Sequence, residues 1–213
     1  MLAEKPRNLF PAIAVERFRI STDGAGITTL AAAYGCPLKC RYCLNPHSQR
    51  PGTKVREYTP MELYEEVKRD HLYFVATGGG ITFGGGEPLL YSDFIVRFRE
   101  TVPVQWRINI ETSLCVPEKY VLAAVKAVDM WIVDIKDMND EIYRNYTGRS
   151  AAFMKENLKF LKRELGGKNV YIRVPAIPGY NTPEDQENSV RILREMGFLN
   201  LEIFDYVRRD EYE

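Results

Sequence analysis

At 213 residues, with 29 basic and 29 acidic side chains, the chain is long enough to bury a core as one domain and carries no net charge. A formal charge of +0 supplies no global field for nucleic acid, and no apolar stretch reaches the length of a membrane span. Met1-Leu2-Ala3-Glu4-Lys5-Pro6-Arg7 lacks the apolar core of an export signal. The expectation is a single cytoplasmic domain over residues 1–213, with no nucleic-acid or membrane partner.

Taken in chain order, an edge strand is expected near 14–20. A turn follows at Ser21-Thr22-Asp23-Gly24-Ala25-Gly26, where Asp and Gly supply tight-turn chemistry. A first core strand over 27–33 delivers the chain into Gly35-Cys36-Pro37-Leu38-Lys39-Cys40-Arg41-Tyr42-Cys43, and a polar linker fills 45–58. Thr59-Pro60-Met61-Glu62 starts a helix that runs to about residue 74. Strands are then expected at 80–83, 105–112, 130–135, 169–174 and 199–206, with helices between them. Met154, Leu158, Leu161 and Leu165 recur at helical spacing and read as a packing stripe. Thr182-Pro183-Glu184-Asp185 caps a last helix that stops at Gly197. Six strands alternating with helices predict a parallel sheet covered by helices. Six units fall short of a closed eight-fold barrel, so the fold class is α/β: a partial, open (β/α)6 barrel.

The cysteine loop is the strongest chemical signal. Cys36, Cys40 and Cys43 are spaced Cys-x3-Cys-x2-Cys in a chain with no sign of export, which favours a soft metal centre over disulfides. Zinc asks for a fourth protein donor, and His47 is the only nearby candidate. Three thiolates suit a [4Fe–4S] cluster with one iron open to a ligand that is not protein. A zinc-binding interaction module without catalysis is the alternative. Gly84-Gly85-Gly86-Glu87-Pro88 is the second signal. Glycines at a strand end let a ligand approach the backbone, although a tight strand-to-helix turn uses the same residues. Cys115 stands far from the motif and reads as a small, partly buried residue.

The cysteine spacing, with Tyr42 before the third cysteine and the glycine run about forty residues later, resembles the radical S-adenosylmethionine (radical SAM) superfamily. The resemblance implies the partial barrel, a [4Fe–4S] cluster on Cys36, Cys40 and Cys43, and S-adenosylmethionine on its open iron. It further implies that Gly84, Gly85, Gly86 and Glu87 meet the methionine amine and that Tyr42 lines the adenine pocket. Asp134 and Lys136 lie two apart in a strand and project from one face; a structural ion pair or contact with a charged cofactor both suit them. Glu111, Thr112 and Asp134 offer oxygen ligands to a monovalent cation. Arg173 is a candidate for the S-adenosylmethionine carboxylate or ribose.

Asp23-Gly24-Ala25-Gly26, Asp134-Ile135-Lys136, Tyr146-Thr147-Gly148 and Pro178-Gly179-Tyr180-Asn181 narrow the resemblance to glycyl radical enzyme activating enzymes of the pyruvate formate-lyase activating type. That implies a 5′-deoxyadenosyl radical that takes a Cα hydrogen from a glycine of a partner enzyme. It also implies a flavodoxin or ferredoxin-type electron donor and anaerobic conditions. Asp23, Gly24 and Gly26 would guide the partner's glycine loop. The chain departs from the family in three places. The interval between the two motifs holds no further cysteines. Glu111-Thr112 stands where Asp-Thr is common, and Asp205-Tyr206-Val207 lacks the family's histidine. A radical SAM enzyme acting on a small molecule or peptide is the second alternative.

Overall fold

A computed structural model of the chain describes residues 8–20 and 22–206. The amino-terminal segment 1–7, Ser21 and Val207 with the residues after it lie outside the described residues. The strands are β1 (Phe10–Ile20), β2 (Ile27–Ala33), β3 (Arg56–Tyr58), β4 (Gly80–Gly85), β5 (Arg107–Thr112), β6 (Met130–Asp134), β7 (Val170–Ala176) and β8 (Leu201–Asp205). The helices are α1 (Pro60–Val67), α2 (His71–Thr77), α3 (Ser92–Thr101), α4 (Glu118–Ala124), α5 (Asp140–Thr147), α6 (Ala152–Leu165) and α7 (Pro183–Glu195). One sheet runs in the order β3-β1-β2-β4-β5-β6-β7-β8. The six strands from β2 to β8, leaving out β3, are mutually parallel. They are the six strands expected from the sequence, and β3 and β8 remain unjoined as edges.

Three details differ from expectation. The segment 45–58 holds a short helical turn at Pro46–Gln49 and the strand β3, whose Tyr58 sits opposite Phe10. β1 is therefore not an edge: it is antiparallel to both β2 and β3. The helix expected to 74 breaks after Val67. Asp70 is buried there, receiving Arg17 in a bidentate ion pair and the Thr29 hydroxyl at 3.0 Å, and the chain re-enters a helix at His71. Directing that carboxylate inward onto its partners turns the chain out of helical phase, since a buried charge must be paired.

The two faces of the sheet differ in chemistry because alternate residues point to opposite sides. Ile81 and Phe83 of β4 and Ile108 and Ile110 of β5 are fully buried against the helices. Phe83 packs edge-on against Phe98 at 5.4 Å and against Phe10 at 5.2 Å. Each such ring contributes roughly 1.5–3 kcal/mol on burial. Thr82, Gly84, Asn109, Glu111, Asp134 and Arg173 are on the opposite parity and form a polar inner face. Capping boxes start α1 (Thr59 with Glu62) and α7 (Thr182 with Asp185), as their sequences imply. Among the described residues, no helix is long and apolar enough to cross a membrane.

The Thr22–Gly26 turn enters this inner face. The Asp23 carbonyl accepts hydrogen bonds from the Thr82 hydroxyl and, at 3.4 Å, from the Asn109 amide. A register shift in β1 between Glu16 and Arg19, with Phe18 at φ 59°, re-aims Arg19. Its guanidinium then reaches the buried Asp23 carboxylate at 2.6 and 3.2 Å.

Candidate active site

The cysteine loop leaves the carboxyl end of β2 and is tied at both sides. Gly35 N–H donates to the Ser48 carbonyl at 2.6 Å, Lys39 N–H to Thr147 at 2.9 Å and Arg41 N–H to Tyr146 at 3.2 Å. Cys36, Cys40 and Cys43 are free thiols of intermediate burial. Burial and the neighbouring Glu87 charge push the Cys36 thiol up to about 12. Burial also raises Cys40, opposed by the Lys136 ammonium. The Glu87 charge thus bears on Cys36, and the Lys136 and Asp134 charges on Cys40. Among the described residues, no three His, Cys, Asp or Glu side chains converge on a single-ion site, and His47 is exposed. A cluster carries each thiolate on a separate iron, so three free thiols spread along one loop fit it as donors.

The glycine run at the end of β4 lies directly against the base of this loop. Gly86 N–H donates to Ala33 at 3.0 Å and Glu87 N–H to Gly35 at 2.8 Å. A side chain has no room here: a Cβ on Gly86 would lie 2.3 Å from the Gly35 oxygen, and Gly85 has φ +83° with Ala32 Cβ at 2.7 Å. The run therefore brings two backbones together, and its Gly86 and Glu87 donors are used by the fold. The Glu87 side chain faces inward. Fully buried, it accepts from Thr112 Oγ1 at 2.7 Å, Ser113 Oγ at 2.7 Å, Ser113 N at 3.0 Å and Leu89 N at 3.3 Å. Burial raises its pKa and these donors oppose the rise.

Glu111, Asp134 and Arg173 meet on the inner face. Arg173 lies 2.9 Å from Glu111, 4.0 Å from Asp134 and 3.1 Å from Glu202, and it also donates to the Thr22 carbonyl. Burial, with the Asp134 charge adding to it, lifts Glu111 to about 7 against the pull of Arg173. The Thr112 side chain is not part of this group, because its hydroxyl serves Glu87. One strand parity separates it from Glu111. Lys136 continues the parity of Asp134 toward the mouth. Burial pulls its ammonium down, but Asp134 and then Cys40 outweigh that and raise it overall.

Sequence reasoning missed a group of tyrosines and a strained turn. Tyr42 packs edge-on against Tyr180 at 5.6 Å and Tyr146 at 6.1 Å. Tyr146 meets Tyr180 at 5.0 Å and Tyr206 at 6.5 Å, and the Tyr206 hydroxyl donates to the Tyr42 carbonyl. The turn after β5 holds Leu114 at φ 55°, fixed by Asn157 of α6. Cys115 is buried, more deeply than the partly buried place expected from the sequence. A separate hollow of about 560 Å³, lined by residues including Val190, Arg194 and Ile203, lies on α7 and β8 and holds none of these groups.

The description "Radical SAM superfamily" belongs to the family model that matches residues 31–193. The (2S)-3-sulfopropanediol dehydratase activating enzyme of Klebsiella oxytoca is 28% identical, over 92% of this chain and 82% of its own length. The pyruvate formate-lyase-activating enzyme of Clostridium pasteurianum is 33% identical, over 80% of this chain and 69% of its own. Among solved structures, Streptococcus suis SuiB bound to the precursor peptide SuiA superposes with a TM-score of 0.63 at 14% identity. The match covers 84% of this chain and 38% of that one. At that identity the likeness is one of fold.

Proposed function

The chain belongs to the radical SAM superfamily, alongside its glycyl radical enzyme activating enzymes, and from that premise we propose that it installs a glycyl radical on a partner enzyme. Cys36, Cys40 and Cys43 would hold a [4Fe–4S] cluster. When bound, that cluster supplies one electron to cleave S-adenosylmethionine, and the radical so released takes a Cα hydrogen from a partner glycine. The residues of the chain do the positioning. Gly84, Gly85 and Gly86 bring the backbone close enough for carbonyl oxygens to meet the methionine ammonium. Glu87 holds that stretch from behind. Tyr42, with Tyr146, Tyr180 and Tyr206 around it, walls the adenine side.

Lys136 and Arg173 supply positive charge on the inner face for the carboxylate and ribose. Asp23, fixed by Arg19, presents the Gly24–Gly26 turn to the incoming glycine loop. A monovalent cation at Glu111, Thr112 and Asp134 would compete with Arg173, whose single charge already faces both carboxylates, at 2.9 and 4.0 Å; we treat it as dispensable. The electron donor is a flavodoxin or ferredoxin-type carrier, and the setting is an anaerobic cytoplasm.

The observation that supports this function best is the common neighbourhood of three motifs. Cys36 feels Glu87 of the glycine run, and Cys40 feels Lys136 and Asp134 of β6 and its exit. The experiment is deuterium transfer. The anaerobically reconstituted, reduced protein is given S-adenosylmethionine and candidate glycyl radical enzymes made with Cα-deuterated glycine. Deuterium in 5′-deoxyadenosine is expected with the true partner. Deuterium-free product with every glycyl radical enzyme offered, formed only when a metabolite or peptide is added, would replace the glycyl target with that substrate.

A further inference from the structure

The loop that carries the three cysteines is held from two directions. Its first part is tied to the exit of α5 and to the end of β4. Lys39 N–H and Arg41 N–H donate to the Thr147 and Tyr146 carbonyls, Arg149 Nε donates to Pro37, and Glu87 N–H donates to Gly35. Its last part is reached from the far end of the sheet. Tyr206 follows β8 directly, and its hydroxyl donates to the Tyr42 carbonyl, 164 positions away in the chain. That bond joins the last strand to the loop after β2, with no strand pairing between them.

Tyr206 is itself fixed. Its N–H donates to the Ala176 carbonyl of β7 at 2.8 Å, which carries the β7–β8 ladder one step further. Its ring lies 6.5 Å from Tyr146 and 6.5 Å from Phe204. The carbonyl it holds belongs to the peptide between Tyr42 and Cys43. Such a unit is planar and trans, so a bond to its oxygen fixes the plane that also carries the Cys43 N–H. One hydroxyl thus acts on two neighbours. It sets the backbone from which the Cys43 side chain leaves, and the backbone from which the Tyr42 ring enters the group with Tyr146 and Tyr180. Packing does not account for this hydroxyl, because phenylalanine would make both ring contacts. Nor does the sheet edge require it, since β7 and β8 are paired from Ile172 with Leu201 to Ala176 with Asp205.

We propose that Tyr206 is a positioning residue for the cluster site, a clasp between the last strand and the cysteine loop that acts through the Tyr42–Cys43 peptide. The inference rests on Cys43 being a cluster ligand, as argued above. No covalent bond changes in this role.

The test compares Tyr206→Phe, which removes the hydroxyl and keeps the ring, with Tyr58→Phe. The latter removes a tyrosine hydroxyl bonded to Glu66 at 2.8 Å, outside the site. Hydrogen–deuterium exchange is followed on the metal-free protein, over peptides containing 41–44 and, separately, over β7 and β8. Exchange over 41–44 should rise about threefold to tenfold in Tyr206→Phe, the equilibrium weight of one neutral hydrogen bond. It should stay at the wild-type level in β7, in β8 and throughout the control. After anaerobic reconstitution, Tyr206→Phe should hold iron and sulfide as the wild type does. The electron paramagnetic resonance spectrum of its reduced cluster should shift, and its affinity for S-adenosylmethionine should fall by a similar factor. Wild-type exchange over 41–44 in Tyr206→Phe overturns the proposal. So does an equal rise over β7 and β8, which would make the hydroxyl a support of the sheet edge. An unchanged spectrum together with unchanged affinity overturns it as well. Failure of the wild type to bind S-adenosylmethionine would count against the activating function, while the exchange result still decides the clasp.

Discussion

Asn157 holds Leu114 in a left-handed backbone conformation by donating its side-chain amide to the Leu114 carbonyl at 2.8 Å, and to Val116 at 2.7 Å. A non-glycine residue at φ 55° is uncommon and persists only where its surroundings hold it. The strained turn aims Ser113 N–H and Oγ at Glu87, and Glu87 carries the glycine run. Asn157→Leu removes both donors. It should cost about 1–3 kcal/mol in denaturant unfolding and weaken S-adenosylmethionine binding by equilibrium titration. Lost stability with unchanged binding would confine Asn157 to a structural role.

Gly86 and Gly84 should respond differently to alanine. A Cβ on Gly86 meets the Gly35 carbonyl at 2.3 Å, rigid backbone one residue from Cys36. On Gly84 it meets Glu111 Oε2 at 2.9 Å and a leucine methyl at 3.0 Å, both ends of side chains. Gly86→Ala is expected to lower iron and sulfide content after anaerobic reconstitution, and Gly84→Ala to keep it. Equal iron in the two variants would refute the distinction.

Cys40→Ala should abolish cluster assembly and S-adenosylmethionine cleavage. Cys115→Ala should leave both intact, because Cys115 is buried outside the loop. Iron analysis and product chromatography decide, and cleavage retained by the Cys40 variant would sink the ligand assignment.

Burial raises Glu111 from 4.5 to about 7 in the folded state. The folded protein therefore binds a proton more tightly than the unfolded chain. The associated stability is fully present below about 4.5 and is lost as pH rises through about 7. Its size is on the order of 3 kcal/mol. Unfolding free energies at pH 5.5 and 8.0 should differ more for the wild type than for Glu111→Gln. Parallel values in the two proteins would contradict the raised pKa.

Arg173 bridges Glu111 at 2.9 Å and Asp134 at 4.0 Å. Removing it leaves carboxylates facing one another. Arg173→Met should lose stability at low salt and regain part of it specifically with potassium or sodium, whereas the wild type should show no such dependence. An identical cation response in both would mean that Arg173 does not fill that place.

The parallel framework was legible because its strands are apolar or alternating runs separated by turn and helix-start chemistry. The capping boxes at Thr59 and Thr182 were equally plain, since both partners lie within four residues. β3 was not: three residues with only Tyr58 buried leave no alternation to read. The break at Asp70 depends on Arg17 and Thr29, far away in sequence. Cysteines and glycines announced themselves by spacing, but the direction of the Glu87 side chain is settled by Thr112 and Ser113. The tyrosine wall joins positions 42, 146, 180 and 206, which no local periodicity connects.

The unjoined edges of the sheet bear on how a protein can be a substrate. A barrel closed all round packs its interior with side chains and receives what enters at its mouth. Here β3 and β8 are not joined among the described residues, so the sheet is open along that side. A hairpin-like segment from the middle of a folded polypeptide can lie across the inner face of such a sheet with both of its ends trailing out. Neither terminus of that polypeptide has to be threaded, and only the segment itself has to leave its own fold.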